Sequence, residues 1–217
     1  MGKRSDFPRQ PRDAYPTPES AMLPLLDHLE AGCIFEDGQD VLESGCTFDE
    51  PCCGDGQLVE HLENFGHKCL FASDVGLTEW MAVRVDIDPP ATKWGENPRD
   101  FIKCNDEIYV MAGLDARKIT SSPASYFITN PPWERDVLHG IIENLSRIIP
   151  TWLLIDADWM HTKQAVPYMA ICRKIVSIGR VKWIPESKNT GMDNCCWYLF
   201  DASQDSEYRT MFHPRRD

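Results

Sequence analysis

The sequence predicts a parallel, doubly wound α/β sheet within one domain. Three observations carry that expectation. Short apolar runs that read as strands alternate with segments of helical period. A Gly54-x-Gly56 turn follows one strand and opens a helix, and a later strand ends in Asn130-Pro131-Pro132-Trp133. A chain of 217 residues has room for one such domain with a real core and little more.

Residues 1–14 have the composition of a flexible arm, and 15–217 read as the domain, with an insertion at about 76–113. Tyr15-Pro16-Thr17-Pro18-Glu19 reads as a helix start, with Thr17 as N-cap and Pro18 at the first helical position. Met22, Leu23, Leu25, Leu26 and Leu29 supply its apolar face, and Pro24 is tolerated because it lies near the start. Gly32 and Gly38 punctuate the loop that follows. Residues 46–50 form a strand, and Leu58, Val59, Leu62 and Phe65 face inward from the next helix, which stops at Gly66. Residues 68–75 form a second strand ending at Asp74. The stretch 76–113, with Trp80, Trp94 and several Pro and Gly, reads as irregular, with a helix and a short strand.

Residues 125–130 are the next strand, and 134–149 an amphipathic helix that Pro150 ends. Residues 152–156 are a strand and 167–176 a helix. Residues 181–184 and 196–200 read as a C-terminal antiparallel strand pair joined by a polar loop containing Gly191.

The formal charge is -12, from 22 Lys and Arg against 34 Asp and Glu, which argues against broad electrostatic binding to nucleic acid. The balance differs locally. Lys163, Arg173, Lys174, Arg180, Lys182 and Lys188 share the stretch 161–188 with Glu186 as its only acid, a candidate basic face. Nine scattered cysteines, with two vicinal pairs and no Cys-x-x-Cys, indicate neither a disulfide framework nor a metal site. They suit a reducing compartment. Residues 1–18 lack an apolar signal segment, and no run approaches membrane-spanning length, so a cytoplasmic protein is expected.

The chemistry concentrates at strand ends. In an open α/β sheet, ligands bind beyond the carboxyl ends of the strands. Gly54 and Gly56 let the backbone turn sharply and approach a ligand. Asp74 ends the next strand, where its carboxylate can accept both ribose hydroxyls of an adenosine. Pro131 and Pro132 stop their strand. The stiff turn then offers the Asn130 amide and the Pro131 carbonyl as acceptors for the exocyclic amine of a planar heterocycle, beside the flat ring of Trp133. Asp86-Ile87-Asp88-Pro89-Pro90 imitates this pattern but lacks the aromatic residue and lies too far past Gly54; it reads as an insertion loop. His139 and His161 read as structural or surface residues.

These segments, in this order, resemble the class I S-adenosylmethionine-dependent methyltransferases. The resemblance is to the N6-adenine DNA enzymes with an Asn-Pro-Pro-aromatic motif, of the small phage or bacterial type, and it covers roughly residues 15–157. It implies a Rossmann-like fold with S-adenosyl-L-methionine as cofactor. It places Tyr15, Thr17 and Pro18 against the methionine part of the cofactor and Glu50, Cys52, Gly54 and Gly56 in the glycine-rich loop. Asp74, with Val75, falls at the ribose, and Asp115 and Ala116 beside the cofactor's adenine. Asn130-Pro131-Pro132-Trp133 becomes the catalytic turn, and DNA the partner. Cys52-Cys53 replace the commoner small residues, and Trp133 stands where many DNA enzymes carry Tyr or Phe. RNA adenine and protein glutamine therefore stay open as substrates, as does a non-catalytic acidic scaffold that binds a protein. A monomer and a homodimer are both compatible with the sequence. Too few residues follow Trp133 for a separate recognition domain. Substrate reading then falls to 76–113, the 185–194 loop, the N-terminal arm or a second subunit.

Overall fold

A computed structural model describes residues 15–30, 33–36, 39–42, 45–75, 101–104, 108–112, 114–203 and 209–215. The N-terminal arm, the Asp86 loop, Trp80, Trp94, Gly32 and Gly38 lie outside them. In chain order the elements are α1 (Glu19–Leu26), β1 (Cys33–Glu36), β2 (Gln39–Leu42), β3 (Thr47–Glu50), α2 (Gln57–Asn64), β4 (Lys68–Asp74), β5 (Phe101–Cys104) and β6 (Ile108–Ala112). Then come β7 (Tyr126–Thr129), α3 (Arg135–Leu145), β8 (Thr151–Asp156), α4 (Val166–Met169), β9 (Cys172–Arg180), β10 (Asn194–Phe200) and β11 (Met211–His213). Single 3-10 turns span Ala116–Lys118 and Ala157–His161.

Nine of the described strands form one sheet in the order β11-β9-β10-β8-β7-β3-β4-β6-β5, while β1 and β2 pair separately as a hairpin. From β8 to β6 the ladder is parallel throughout. β10 runs antiparallel between β8 and β9, and β5 runs antiparallel to β6. The expected doubly wound, mostly parallel sheet with an antiparallel C-terminal pair is therefore present. Strand order reverses between β3 and β7, where such sheets open their ligand crevice.

Both faces of the sheet are covered. Along β8, Trp152 and Leu154 enter the core under α1 and α2, whereas Leu153 and Ile155 enter the core under α3. The period of two sends alternate residues to opposite cores, so the strand is apolar without alternation in its sequence. Trp197 of β10 donates its indole N–H to the Ala21 carbonyl at 2.8 Å, tying the start of α1 to the sheet.

Several expectations are corrected. Of the expected helix at 167–176 only the first three residues are helical, as the end of α4 (Val166–Met169); Cys172–Arg180 is a strand. Its Ile175, Val176 and Ile178 are β-branched, and β10 and β11 bond it from both sides. Residues 181–184 are not a strand, because the Val181 carbonyl accepts from Gly191 N at 2.7 Å and closes a loop instead. The hairpin partner of β10 is thus β9. Thr17 is not the cap of α1: the N-cap is Pro18, without a side-chain cap bond, and Thr17 is buried. Leu23 and Phe65 are exposed rather than core, and Leu29 follows the end of α1. The 76–113 stretch contributes β5 and β6 to the central sheet, more regular structure than expected.

The proposed basic face also shrinks. Arg173 is buried, with Nη2 donating to the Asp201 carbonyl at 2.9 Å, and Lys174 lies 3.7 Å from Glu30. Lys163, Arg180, Lys182 and Lys188 remain exposed. Among the described residues no helix is long and apolar enough to cross a membrane.

Candidate active site

β3, β4, β6 and β7 all point their carboxyl ends toward one edge of the sheet, and the singled-out residues lie along it. The 51–56 turn leaves β3 and is tied down at three points. Cys53 N donates to the Ser73 carbonyl at 2.9 Å, Gly56 N to the Cys53 carbonyl at 2.8 Å, and Gly54 N to Asp74 Oδ2 at 3.0 Å. Gly54 and Gly56 have φ of 54° and 84°, left-handed backbone that suits glycine. Among the described residues nothing lies within 4 Å of the position a Cβ would take at each, so the turn presents its backbone to open space rather than to packed protein.

The edge is acidic. Glu50 is buried behind the turn, and burial raises its carboxyl well above the usual range, with Asp74 and Asp55 adding to the rise. Among the described residues its Oε2 has no hydrogen-bond partner. Burial likewise pushes the Cys52 thiol up, with Asp74 contributing, so Cys52 is a protonated packing group beside Thr129. Asp115 caps the 3-10 turn and is gripped by Arg117, whose Nη2 lies 2.6 Å and Nε 2.9 Å from its oxygens. That pair holds the carboxyl below the usual carboxylate range. Ala116 is buried and Val75 exposed.

At the end of β7 the Asn130 Nδ2 donates to the Tyr15 carbonyl at 3.3 Å. Tyr15 precedes a proline, which restricts its backbone to extended conformations. With the amide nitrogen turned toward Tyr15, the Asn130 oxygen is the atom left to accept from a substrate. Pro131 is buried; Asn130, Pro132 and Trp133 are half-buried. The Trp133 indole N–H donates to the Leu154 carbonyl at 3.0 Å, which pins the ring to β8. Trp183 packs edge-on against it, with centroids 6.0 Å apart and planes at 82°, and lies 6.4 Å from the Tyr15 ring.

Trp183 is the residue sequence reasoning missed at this site. Its place among β-like residues concealed that the β9–β10 turn returns it to the same edge. Asp49, on the other face of β3 from Glu50, was also unassigned; it is buried and accepts from Ser122 Oγ at 2.5 Å. His139 packs 4.7 Å from the Tyr168 ring and accepts from Trp159 Nε1, while His161 is exposed. A cavity of about 530 Å³ between α1 and the β9–β11 edge contains none of these site residues. Among the described residues no group of His, Cys, Asp and Glu is arranged to hold a metal.

No protein-family model matches the chain, and no curated protein matches it. Solved structures with a similar chain path do exist. One is a candidate RNA methyltransferase from Pyrococcus horikoshii, at 14% identity and TM-score 0.48, covering 86% of this chain and 85% of that one. A candidate class I S-adenosylmethionine-dependent methyltransferase from Listeria monocytogenes aligns at 7% identity and TM-score 0.47, over 79% of this chain and 59% of that one. A chain of a type I restriction–modification system aligns at 10% identity and TM-score 0.49, over 95% of this chain and 46% of that one. The chain thus spans less than two thirds of the length of the latter two.

Proposed function

We propose that this chain is an S-adenosylmethionine-dependent N-methyltransferase acting on the exocyclic N6 amine of adenine in DNA. The observation that carries the reading is the Asn130 amide held by the Tyr15 carbonyl. It joins two segments that the resemblance links, and it leaves the Asn130 side-chain oxygen as the acceptor on a proline-stiffened turn. The domain spans 15–217, with 76–113 as its main elaboration.

The residues present fit the cofactor. The open backbone at Gly54 and Gly56 leaves room for it, and the Asp74 and Asp55 carboxylates beside the buried Glu50 favour a ligand that carries positive charge. When bound, the cofactor supplies an electrophilic methyl group on sulfur. Asp74 lies where ribose hydroxyls are gripped, and its carboxylate also steadies the loop through Gly54. Asp115 meets the cofactor's adenine only from a carboxylate already shared with Arg117. The Asn130 oxygen and Pro131 carbonyl would accept hydrogen bonds from the two amine N–H groups and turn the nitrogen lone pair out of conjugation, toward the methyl-bearing side of the site. The proton that the methylated nitrogen then carries would leave to water. Such orientation supplies roughly 7–11 kcal/mol in well-aligned systems. A duplex must flip its base into the site, which costs a few kcal/mol.

The test is transfer of labelled methyl to duplex DNA, single-stranded DNA, RNA and total protein, followed by nucleoside mass spectrometry. N6-methyladenine from DNA is the expected product. Label confined to RNA keeps the chemistry and overturns the substrate. Label confined to glutamine side chains, which present a similar planar amine, moves the protein to a different substrate class. No calorimetric heat with S-adenosylmethionine or its demethylated product leaves the non-catalytic scaffold as the reading.

A further inference from the structure

The 3-10 turn Ala116–Lys118 is docked on α3 by two side chains of that helix. Asn144 Nδ2 donates to the Ala116 carbonyl at 3.1 Å and to the Ile119 carbonyl at 2.8 Å. Four residues earlier on the same helix face, Gly140 leaves a notch. A Cβ there would come within 2.7 Å of Arg117 Cδ and 3.2 Å of Arg117 Cγ. The Arg117 stem therefore fills the space that any other residue at 140 would take. Glycine is a poorer mid-helix residue than alanine, and here its missing side chain seats an arginine.

From that seat the guanidinium turns back onto its own turn. Arg117 Nε bridges the two Asp115 oxygens at 2.9 and 3.1 Å, and Nη2 donates to Oδ2 at 2.6 Å. The Arg117 backbone N–H donates to Oδ1 at 3.0 Å. A carboxylate offers about four acceptor positions, so these three donors leave room for one more. Asp115 keeps 17% of its side-chain surface exposed, so the carboxylate is not sealed off.

The pair belongs to the cofactor edge. Asp115 and Asp74 both act on the Cys52 thiol of the glycine turn. Glu134, the N-cap of α3 directly after the Asn130–Trp133 turn, attracts Arg117, and Lys118 also faces Asp115. A carboxylate held by a planar fork has a fixed orientation that a lone surface acid lacks.

Resting on the cofactor reading above, we propose that Arg117, seated in the Gly140 notch, is the positioning residue for adenine recognition. It holds the Asp115 carboxylate so that its remaining acceptor position meets the 6-amino group of the cofactor's adenine.

The experiment uses the full chain and calorimetry with two ligands: S-adenosylhomocysteine, and the same compound carrying hydrogen in place of the adenine 6-amino group. The wild type should bind the amino-bearing ligand more tightly. Arg117→Gln removes the charge and the fork. It should weaken that ligand roughly 2- to 5-fold, the scale of a partly exposed ion pair, and leave affinity for the other nearly unchanged. In methyl transfer it should raise the KM for the cofactor with kcat little changed. Arg117→Lys should recover part of the loss, since it restores the charge without the fork. Gly140→Ala shifts the Arg117 stem while keeping the residue, so it should show a weaker form of the same loss of selectivity, and it carries the test if Arg117→Gln fails to fold. An Arg117→Gln protein that weakens both ligands equally, or neither, overturns the positioning role. A wild type that binds the two ligands alike overturns it as well and leaves the cofactor reading standing. A wild type that binds neither overturns the cofactor reading and this inference with it.

Discussion

Asn130 owes its orientation to a residue 115 positions earlier in the chain, and its role can be separated from cofactor binding. Asn130→Ala removes the proposed amine acceptor while leaving the glycine turn and its acids in place. It should abolish methyl transfer and leave calorimetric affinity for S-adenosylmethionine nearly intact; residual full activity rejects the role. Asp74→Ala should act the other way, weakening cofactor affinity by about 1.5–3 kcal/mol through lost charged hydrogen bonds. Because Asp74 Oδ2 also accepts from Gly54 N, part of that loss should appear as a looser turn, read by faster amide exchange at Gly54. Trp133 was legible as the aromatic residue that ends the proline turn. Its indole bond to Leu154 and its packing on the core were not, since both partners come from distant segments.

At the scale of elements, the junction before β3 is the tightest described. A Cβ on Gly45 would collide with the carbonyl oxygen of Gly66, at the turn between α2 and β4. That atom is backbone, fixed by β4 pairing on one side and the end of α2 on the other, so it cannot step aside. Gly45→Ala should therefore cost about 1–3 kcal/mol, the usual range for overpacking, seen as a lower denaturant midpoint with unchanged slope. A cost under about 0.5 kcal/mol, the scale of ordinary surface changes, contradicts the collision. Elements whose own residues settle their form were legible: α2 with its Gly66 stop, β4 ended at Asp74, and α3 as a helix, although it stops at Leu145, short of the expected 149. Those settled by partners were misread. Residues 172–180 carry a pattern compatible with helix until β10 and β11 are seen to bond both edges of the strand.

For the molecule as a whole, a buried acid in the central strand links stability to pH. Burial, opposed by the Ser122 hydroxyl and a bond with the Phe71 backbone, pushes the Asp49 carboxyl up to about 7. The folded chain then keeps a proton that the unfolded chain releases near its ordinary pKa of about 3.9. The associated stability is complete below that value and is lost as pH rises through about 7. Denaturant unfolding between pH 4.5 and 8 should show wild-type stability falling with pH, and Asp49→Asn should flatten the curve by as much as one proton, about 1.4 kcal/mol per pH unit. Equal slopes in the two proteins refute the burial effect. On the proposed DNA reading, the overall negative charge leaves binding dependent on few cations. Charge reversal at Arg180 and Lys182 should weaken DNA binding and reduce its dependence on salt, whereas Lys174, already beside Glu30, should matter less. DNA methylation unchanged at low and moderate salt in the reversed protein rejects that surface.

The sequence by itself determined the alternation of strands and helices, the glycine turn, the acid ending β4 and the proline-stopped strand. Each depends on local sterics: where glycine permits positive φ, where proline stops a strand, and where apolar period changes. Only the tertiary structure decided which distant residues meet at the sheet edge. The Tyr15 carbonyl reaches Asn130 because α1 is tied to β10, and Trp183 reaches Trp133 because β10 inserts antiparallel between β8 and β9. The same folding buried Arg173 and removed it from the expected basic surface. Pairing between strands far apart in sequence is governed by register and burial across the sheet, and no local pattern encodes the partner.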